Sequence, residues 1–185
     1  MTRLLTYSVL LITLLVASCG EQNPPEPISS SSTPAINQAP SKISYNATLA
    51  EGINFKRDGY PSFVADVHGL ADEKEFFGRW SVADEVTINF VEPLPAKFTV
   101  ELVASAFGPN VNKPMKIIVG EKEQQFVLAS GYVEKMQKVL IHVSIAGKVT
   151  SIKFRIPFAR TPKSMASSTD ERRLGIAFGD IKIYE

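Results

Sequence analysis

The dipeptide Arg79-Trp80 combines the residue types that most readily hold a sugar ring. Trp80 is the only tryptophan in the chain. An exposed indole stacks on the C–H face of a sugar, and a neighbouring guanidinium offers a planar fork of hydrogen-bond donors. In the structural alternative, Trp80 plugs the end of the core and Arg79 pairs with a carboxylate such as Glu75 or Asp84. We favour the structural role because large aromatic side chains are mostly buried.

Asn110 and Arg172 are the other two candidate ligand-binding residues. Arg172 precedes a predicted strand, where it could donate to a sugar hydroxyl or a phosphate, or pair with a neighbour such as Asp170 or Glu171. Asn110 and the nearby Asn112 flank a proline-containing turn, and their amides could serve a ligand or satisfy the turn backbone. The structural role is again favoured, so the candidate set of Arg79, Trp80, Asn110 and Arg172 stands as a hypothesis.

Signatures of metal binding and catalysis are weak or missing. Asp66 and His68 share a strand face but have no third ligand nearby, which favours a solvated face over a metal site. His142 lies in an apolar strand and is predicted to be half-buried. The nucleophile-elbow, zinc-protease, Walker and dinucleotide-binding motifs are absent. We therefore expect no catalytic residue, metal or cofactor, although two carboxylates across a groove could in principle cleave a glycosidic bond.

Residues 1–18 are predicted to be a secretory signal. Arg3 supplies a positive start, and residues 4–16 are almost wholly apolar but too few for a spanning helix. Residues 15–19, reading LVASC, resemble the lipobox of bacterial lipoproteins. That resemblance implies that Cys19, the only cysteine, carries acyl chains such as palmitate and becomes the mature first residue. Gly20 after it is compatible with the outer membrane, so the expected location is the cell envelope, with the protein lipid-anchored and facing the periplasm.

A tether is predicted after the anchor. Residues 19–47 contain five prolines around the serine run 29–32, a composition typical of a linker. Without the signal, 19 basic residues balance 19 acidic ones and no basic stretch occurs. A nucleic-acid partner is therefore not expected. The membrane, through the anchor, and an envelope polysaccharide are the expected partners.

Residues 48–185 show the two-residue repeat of β-strands and almost no helical period. The clearest run is Lys97–Phe107, where Phe98, Val100, Leu102 and Ala104 alternate with mostly polar residues. It predicts a central, half-buried strand that ends in the tight loop Gly108-Pro109-Asn110. The other predicted strands are 52–55, 62–68, 86–91, 115–119, 124–128, 139–145, 151–156 and 173–184, the last broken at Gly179-Asp180.

These strands predict an all-β domain, specifically a two-sheet antiparallel sandwich of jelly-roll type. A single open sheet would leave one apolar face in water. A closed barrel is the alternative. Gly120-Glu121-Lys122 is predicted to be a hairpin loop, and residues 160–173 a long polar loop that is either a mobile flap or part of a site. Four phenylalanines are predicted in the core: Phe126, Phe154, Phe158 and Phe178.

Four motifs in the folded part resemble one known pattern. In chain order they are Phe77 to Ser81 (FGRWS), Phe90 to Pro95 (FVEPLP), Ala106 to Asn110 (AFGPN), and Arg172 to Ile176 (RRLGI) followed by Ile181-Lys182. Together they resemble the C-terminal β-sandwich domain of the membrane phosphoglycerol transferases that decorate osmoregulated periplasmic glucans, and related domains of some membrane glycosyltransferases. The resemblance implies an accessory module of envelope polysaccharide systems.

The chain departs from that pattern in two respects. We expect no transmembrane array and no sulfatase-like catalytic domain, so phosphoglycerol transfer is not carried over. Phe76-Phe77 also stands where the family tends to show a second tryptophan. The favoured function is a non-catalytic, membrane-anchored lipoprotein whose carbohydrate-binding-like sandwich is associated with envelope glycans. The alternatives are a protein-interaction module of an envelope assembly and, third, a glycan hydrolase.

Overall fold

A computed structural model describes residues 44–165 and 168–185. The predicted signal, Cys19 and all but the last four residues of the predicted tether lie outside the described residues. Within the described part the chain forms twelve β-strands and three short 3₁₀ turns. None of the described residues belongs to a helix with the length and apolar character that a membrane span requires.

Two five-stranded sheets contain ten of the twelve strands. Sheet I has the order β10-β7-β12-β2, with β5 also paired to β12, and sheet II has the order β4-β6-β11-β8-β9; within both sheets all pairs are antiparallel. The strands are β1 (Ser44–Tyr45), β2 (Ile53–Asn54), β3 (Tyr60–Pro61), β4 (Val64–His68), β5 (Arg79–Trp80), β6 (Glu85–Phe90), β7 (Lys97–Ala106), β8 (Pro114–Val119), β9 (Lys122–Val127), β10 (Gln137–Ser144), β11 (Ser151–Arg155) and β12 (Ile176–Tyr184). The predicted all-β sandwich is confirmed.

The core lies between the two sheets because strands such as β6, β7, β8 and β11 have an apolar residue at every second position. In β7 the alternation predicted from sequence buries Phe98, Val100, Leu102 and Ala104. Sheet II contributes Phe154, whose ring lies 5.4 Å from that of Phe178 in sheet I. β7 has β10 on one side and β12 on the other, so its predicted central position is confirmed.

Several local predictions are confirmed and others are wrong. The register of β12 shifts between Phe178 and Asp180, where a break was predicted, and the Gly120 turn joins β8 to β9 as a hairpin. Phe158, predicted in the core, is 38% exposed. The sequence patterns did not predict β1, β3 or β5, because two-residue strands are too short to show a period.

The N-terminal boundary of the folded part is also corrected. Ser44 and Tyr45, which the sequence assigns to the tether, form β1 and pair in parallel with β3. The Tyr45 hydroxyl accepts a hydrogen bond from the backbone N–H of Asn54 at 3.3 Å, and the Arg57 guanidinium lies 3.9 Å from the centre of the Tyr45 ring. These contacts make residue 45 part of the domain, so the predicted start at residue 48 was too late.

Four connections lie together at one end of the sandwich, which we call the loop end. The register places them there, because Glu85 pairs with Arg155, Ala106 with Ile176 and Pro114 with Val127. The loop end consists of residues 69–84, 107–113, 128–136 and 156–175. Three of the four motifs that carry the family resemblance lie on or border these connections. The loop end is therefore the region where we look for a functional site.

Candidate functional site

The 3₁₀ turn Gly108–Asn110 is the centre of the loop end. Asn110 is fully buried. Its amide Nδ2 donates to the carbonyl of Phe158 at 2.9 Å and to that of Gly175 at 3.3 Å, and its Oδ1 accepts from the backbone N–H of Phe158 at 3.2 Å. The amide thus joins two connections of the loop end, its own turn and both ends of residues 156–175. This geometry matches the structural alternative for Asn110, because the side chain faces no open surface.

Trp80 lies in a second apolar cluster on the outer side of sheet I. It pairs with Ala177, whose side chain points away from the core that Phe178 enters. The indole is only 8% exposed and meets the rings of Phe77 and Phe107 edge-on at 5.3 and 5.7 Å. In this position no face of the indole is open for a sugar, which matches the structural role favoured from sequence.

Arg79 is buried beneath the loop formed by residues 70–75. One guanidinium nitrogen, Nη1, donates to the backbone carbonyls of Ala71 and Asp72. The predicted pairing of Arg79 with Glu75 or Asp84 is therefore wrong. Backbone carbonyls replace the carboxylates because the chain folds back over the guanidinium after β4. Arg79 therefore stabilises the loop formed by residues 70–75, and its charge does not lie at the surface.

Phe76 is the exposed aromatic residue of this region. Residues 75–78 form a tight turn closed by two backbone hydrogen bonds between Glu75 and Gly78, at 2.7 and 3.1 Å. At the tip Phe77 points inward, whereas Phe76 is 73% exposed and meets the Phe77 ring edge-on at 5.2 Å. Gly78 has φ of 140°, and a Cβ there would lie 1.9 Å from the Phe178 carbonyl oxygen. The turn conformation is therefore restricted to glycine and holds Phe76 on a rigid base.

Sequence reasoning named Phe76 only as a departure from the family pattern and did not include it in the candidate set. The available signal was the pair of adjacent phenylalanines before a glycine. In a tight turn, two neighbouring side chains cannot both enter the same apolar cluster. One of the two rings therefore had to face solvent.

Arg172 lies beside this turn and is engaged by two acids. Its guanidinium donates to Asp170 Oδ2 at 2.8 Å and to Glu75 Oε1 at 3.2 Å. The Asp170 partner was among those predicted from sequence. Hydrogen bonds from Arg172 lower the pKa of the Asp170 carboxyl, and Asp170 in turn raises the pKa of Arg172. The neighbouring Arg173 pairs with Asp84 at 2.9 Å. Of the four candidate residues, only Arg172 reaches the surface.

A shallow cavity of about 430 Å³ adjoins the turn. Its lining combines apolar side chains with two carboxylates and one guanidinium, from Leu70, Ala71, Asp72, Glu73, Val82 and Arg172. Arg172, which lines the cavity, also binds Glu75, which directly precedes Phe76, so this ion pair links the cavity to the turn that carries the exposed ring. We call the cavity, Phe76, Glu75 and Asp170 the loop-end site. It contains an apolar platform, a polar wall and an opening to solvent.

A larger cavity, of about 630 Å³, lies elsewhere on sheet I and has no exposed Phe, Tyr or Trp side chain in its lining. It is lined by residues around Lys97 and His142. His142 is exposed, contrary to the half-buried position predicted for it, and lies 3.0 Å from the Thr99 hydroxyl. The ring faces outward because Ile141 and Val143 take the inward positions of β10.

Asp66 and His68 lie on an exposed part of β4, with the His68 imidazole 2.9 Å from the Asp66 carboxylate. Among the residues that the structure describes, no three metal-ligating side chains converge. Asp66 also accepts a hydrogen bond from Asn89 at 2.6 Å. The pair is therefore part of a polar surface network on sheet II.

The role of Asn110 predicts a specific loss of stability. Asn110→Ala removes the bonds to Phe158 and Gly175 and leaves buried backbone groups unsatisfied, so we expect unfolding in urea to lose about 2–4 kcal/mol. The matched control is Asn112→Gly, at an exposed position with φ of 58°, which should change stability by less than about 0.5 kcal/mol. Equal effects of the two substitutions would contradict the central role of Asn110.

Comparison with known proteins places these features in a family context. A family model described as a domain of unknown function, DUF7024, matches residues 23–185. The protein called phosphoglycerol transferase I from Salmonella typhi is 31% identical over 138 residues, and that from Salmonella typhimurium matches equally. The matched region is 72% of this chain but only 17% of those proteins. The resemblance predicted from the motifs is thus confirmed for a segment of the transferases.

The solved structures that superpose on this chain do so with low TM-scores and low sequence identity. The C-terminal CBM6 of LamC, a laminarinase of Zobellia galactanivorans, superposes with a TM-score of 0.42 and 11% identity, covering 72% of this chain and 97% of that one. A family 35 carbohydrate binding module from an environmental isolate gives a TM-score of 0.38 and 12% identity, covering 80% and 90%. We transfer no property from either of them.

Proposed function

The chain belongs to the DUF7024 family, and we propose that it is a non-catalytic, glycan-binding accessory protein of the cell envelope. The observation that carries the proposal is the exposed Phe76 ring, held on a rigid turn beside an open, partly polar cavity. Sugars bind proteins through such a combination, in which an aromatic face packs on C–H groups and nearby polar groups bind the hydroxyls. The match to a segment of phosphoglycerol transferase I supports an envelope setting.

The electrostatics of the loop-end site support binding over hydrolysis. A glycosidase needs one carboxylic acid whose pKa is raised, so that it can donate a proton at neutral pH. Here Glu75 and Asp170 accept hydrogen bonds from the same guanidinium, and the pKa of Asp170 is lowered. That direction is opposite to the requirement for an acid catalyst. These two carboxylates therefore suit the orientation of a ligand.

Binding should depend on Phe76. In titration calorimetry against periplasmic glucan, Phe76→Ala should weaken affinity about tenfold, because one stacked aromatic contributes on the order of 1–1.5 kcal/mol. The domain should stay folded, since the ring is exposed. Leu140→Ala removes an apolar side chain of sheet I that is 51% exposed and serves as the control that retains affinity.

Heat-silent titrations of the unmodified protein with periplasmic glucan, peptidoglycan fragments and lipopolysaccharide core would all contradict glycan binding. Retained affinity in Phe76→Ala would instead contradict the assignment of the site.

We also propose that Cys19 is the lipid anchor, with residues 20–43 as the tether to the outer membrane. Metabolic labelling with a palmitate analogue should mark the full-length protein and place it in the membrane fraction. Cys19→Ala should lose both the label and the fractionation, while Phe76→Ala should keep both. Label in the Cys19→Ala protein would contradict the anchor.

A second candidate function is docking to a protein of an envelope assembly. It is favoured by three further exposed apolar side chains at the loop end, Tyr132, Phe158 and Met165. Exposed apolar groups gathered at one end of a domain are typical of interaction sites. A protein partner that is retained after glycan digestion and lost in Tyr132→Ala would support docking. If Tyr132→Ala retained that partner, this surface would not be the docking site.

A further inference from the structure

We infer that the loop-end site selects uncharged glycan segments and disfavours the same glycans once they carry anionic substituents. This inference rests on the proposed glycan binding at Phe76 and adds the chemical class of the ligand. It follows from the carboxylates near the Phe76 platform and from the ion pairs that already engage the nearby cations.

Carboxylates predominate around the platform. Asp72 and Glu73 line the cavity and are exposed, and Glu75 and Asp170 lie within hydrogen-bond distance of Arg172. Arg172 is the only cationic side chain among the residues that line the described cavity. An anionic ligand would therefore meet four carboxylates for one exposed guanidinium.

The cations nearby are already engaged. Both fork nitrogens of Arg172 donate to Glu75 or Asp170, so a phosphate that binds both nitrogens would have to displace an existing carboxylate. Lys74 pairs with Asp58 at 2.6 Å, and Arg173 pairs with Asp84. Arg79 is buried under the cavity wall and reaches only backbone carbonyls through Nη1. When Arg79 is counted, two guanidiniums still face four carboxylates, which leaves an excess of negative charge.

Arg172 also helps to keep one of these carboxylates charged. Arg172 lowers the pKa of Asp170, so that carboxyl stays ionised down to more acidic conditions than usual. A neutral sugar is not affected by this field, because it binds through C–H stacking and hydroxyl hydrogen bonds. A phosphate-bearing sugar is repelled at a distance that salt screens only partly, since the Debye length at 0.1 M is about 10 Å.

The test compares two probes with one backbone: unsubstituted periplasmic glucan and the same glucan carrying phosphoglycerol groups. Calorimetry at low salt should show the unsubstituted glucan bound about fivefold more tightly, as expected for an excess of two charges acting through water at about 8 Å. The preference should shrink in 0.5 M NaCl. Equal affinity for both probes at low salt would overturn the inference and leave glycan binding intact, whereas absence of binding to both would overturn the proposed function itself.

Two charge-matched variants assign the effect to this site. Asp72→Asn with Glu73→Gln should bring the two probes to within about twofold of each other. Glu121→Gln with Glu123→Gln makes the same change in net charge on the β8–β9 hairpin, where Glu123 pairs with Lys116. This control should keep the preference. If both double variants lose it equally, the selectivity comes from net charge and the inference is wrong.

Discussion

The buried amide of Asn110 is the interaction on which the loop end of this sandwich depends. Two antiparallel sheets need only alternating apolar residues to pack face to face, but four long connections at one end have no such repeat. Asn110 supplies what they lack, because a single side chain bonds the backbone of Phe158 and of Gly175 while it sits at the end of the central strand. Asn110 thus joins the end of the central strand β7 to the connection formed by residues 156–175.

Around Asn110, the loop end contains buried side chains that support the site and exposed side chains that face solvent. Trp80, Phe77 and Phe107 form a buried aromatic cluster on the outer side of sheet I, and Arg79 fastens the backbone of residues 71 and 72. Phe76, one residue before the cluster, remains exposed. An exposed platform is useful only if its base does not move, since ordering a flexible loop would reduce affinity. The motif Phe77 to Ser81 therefore forms the base of the platform, and Phe76, the residue before the motif, forms its exposed surface.

Electrostatics impose a second constraint on the same region. Arg172 lies between Glu75 and Asp170 and joins the loop 156–175 to the turn that carries Phe76. Exposed ion pairs of this kind contribute little stability. For the proposed glycan site their larger effect would be on recognition, because they occupy the guanidinium and leave the surrounding carboxylates in excess. A polar, acid-rich wall beside an aromatic ring suits a neutral carbohydrate better than an anionic one.

The amino-acid sequence by itself determined the class of fold and the strands that matter. Alternation of apolar residues is a local property, so the central strand β7, the β8–β9 hairpin and the break in β12 could all be predicted, and the motifs identified the relatives. Residues 44–47 and the short strands β3 and β5 escaped because they are too short to show a period. For Phe126, Phe154 and Phe178 hydrophobicity was enough to predict burial, whereas Phe158 is exposed because its backbone, and not its ring, is held by Asn110.

Only the tertiary structure decided which polar and aromatic residues face solvent. Arg79, Trp80, Asn110 and Arg172 are all residue types that can bind a sugar, yet three of them are buried and one is exposed. The difference arises from contacts between residues far apart in the chain, such as Arg172 with Glu75 and Asn110 with Gly175. Such contacts have no local period to reveal them. The sequence therefore indicated which residue types could bind a ligand. The folding of distant loops onto one turn determined that Phe76 is exposed.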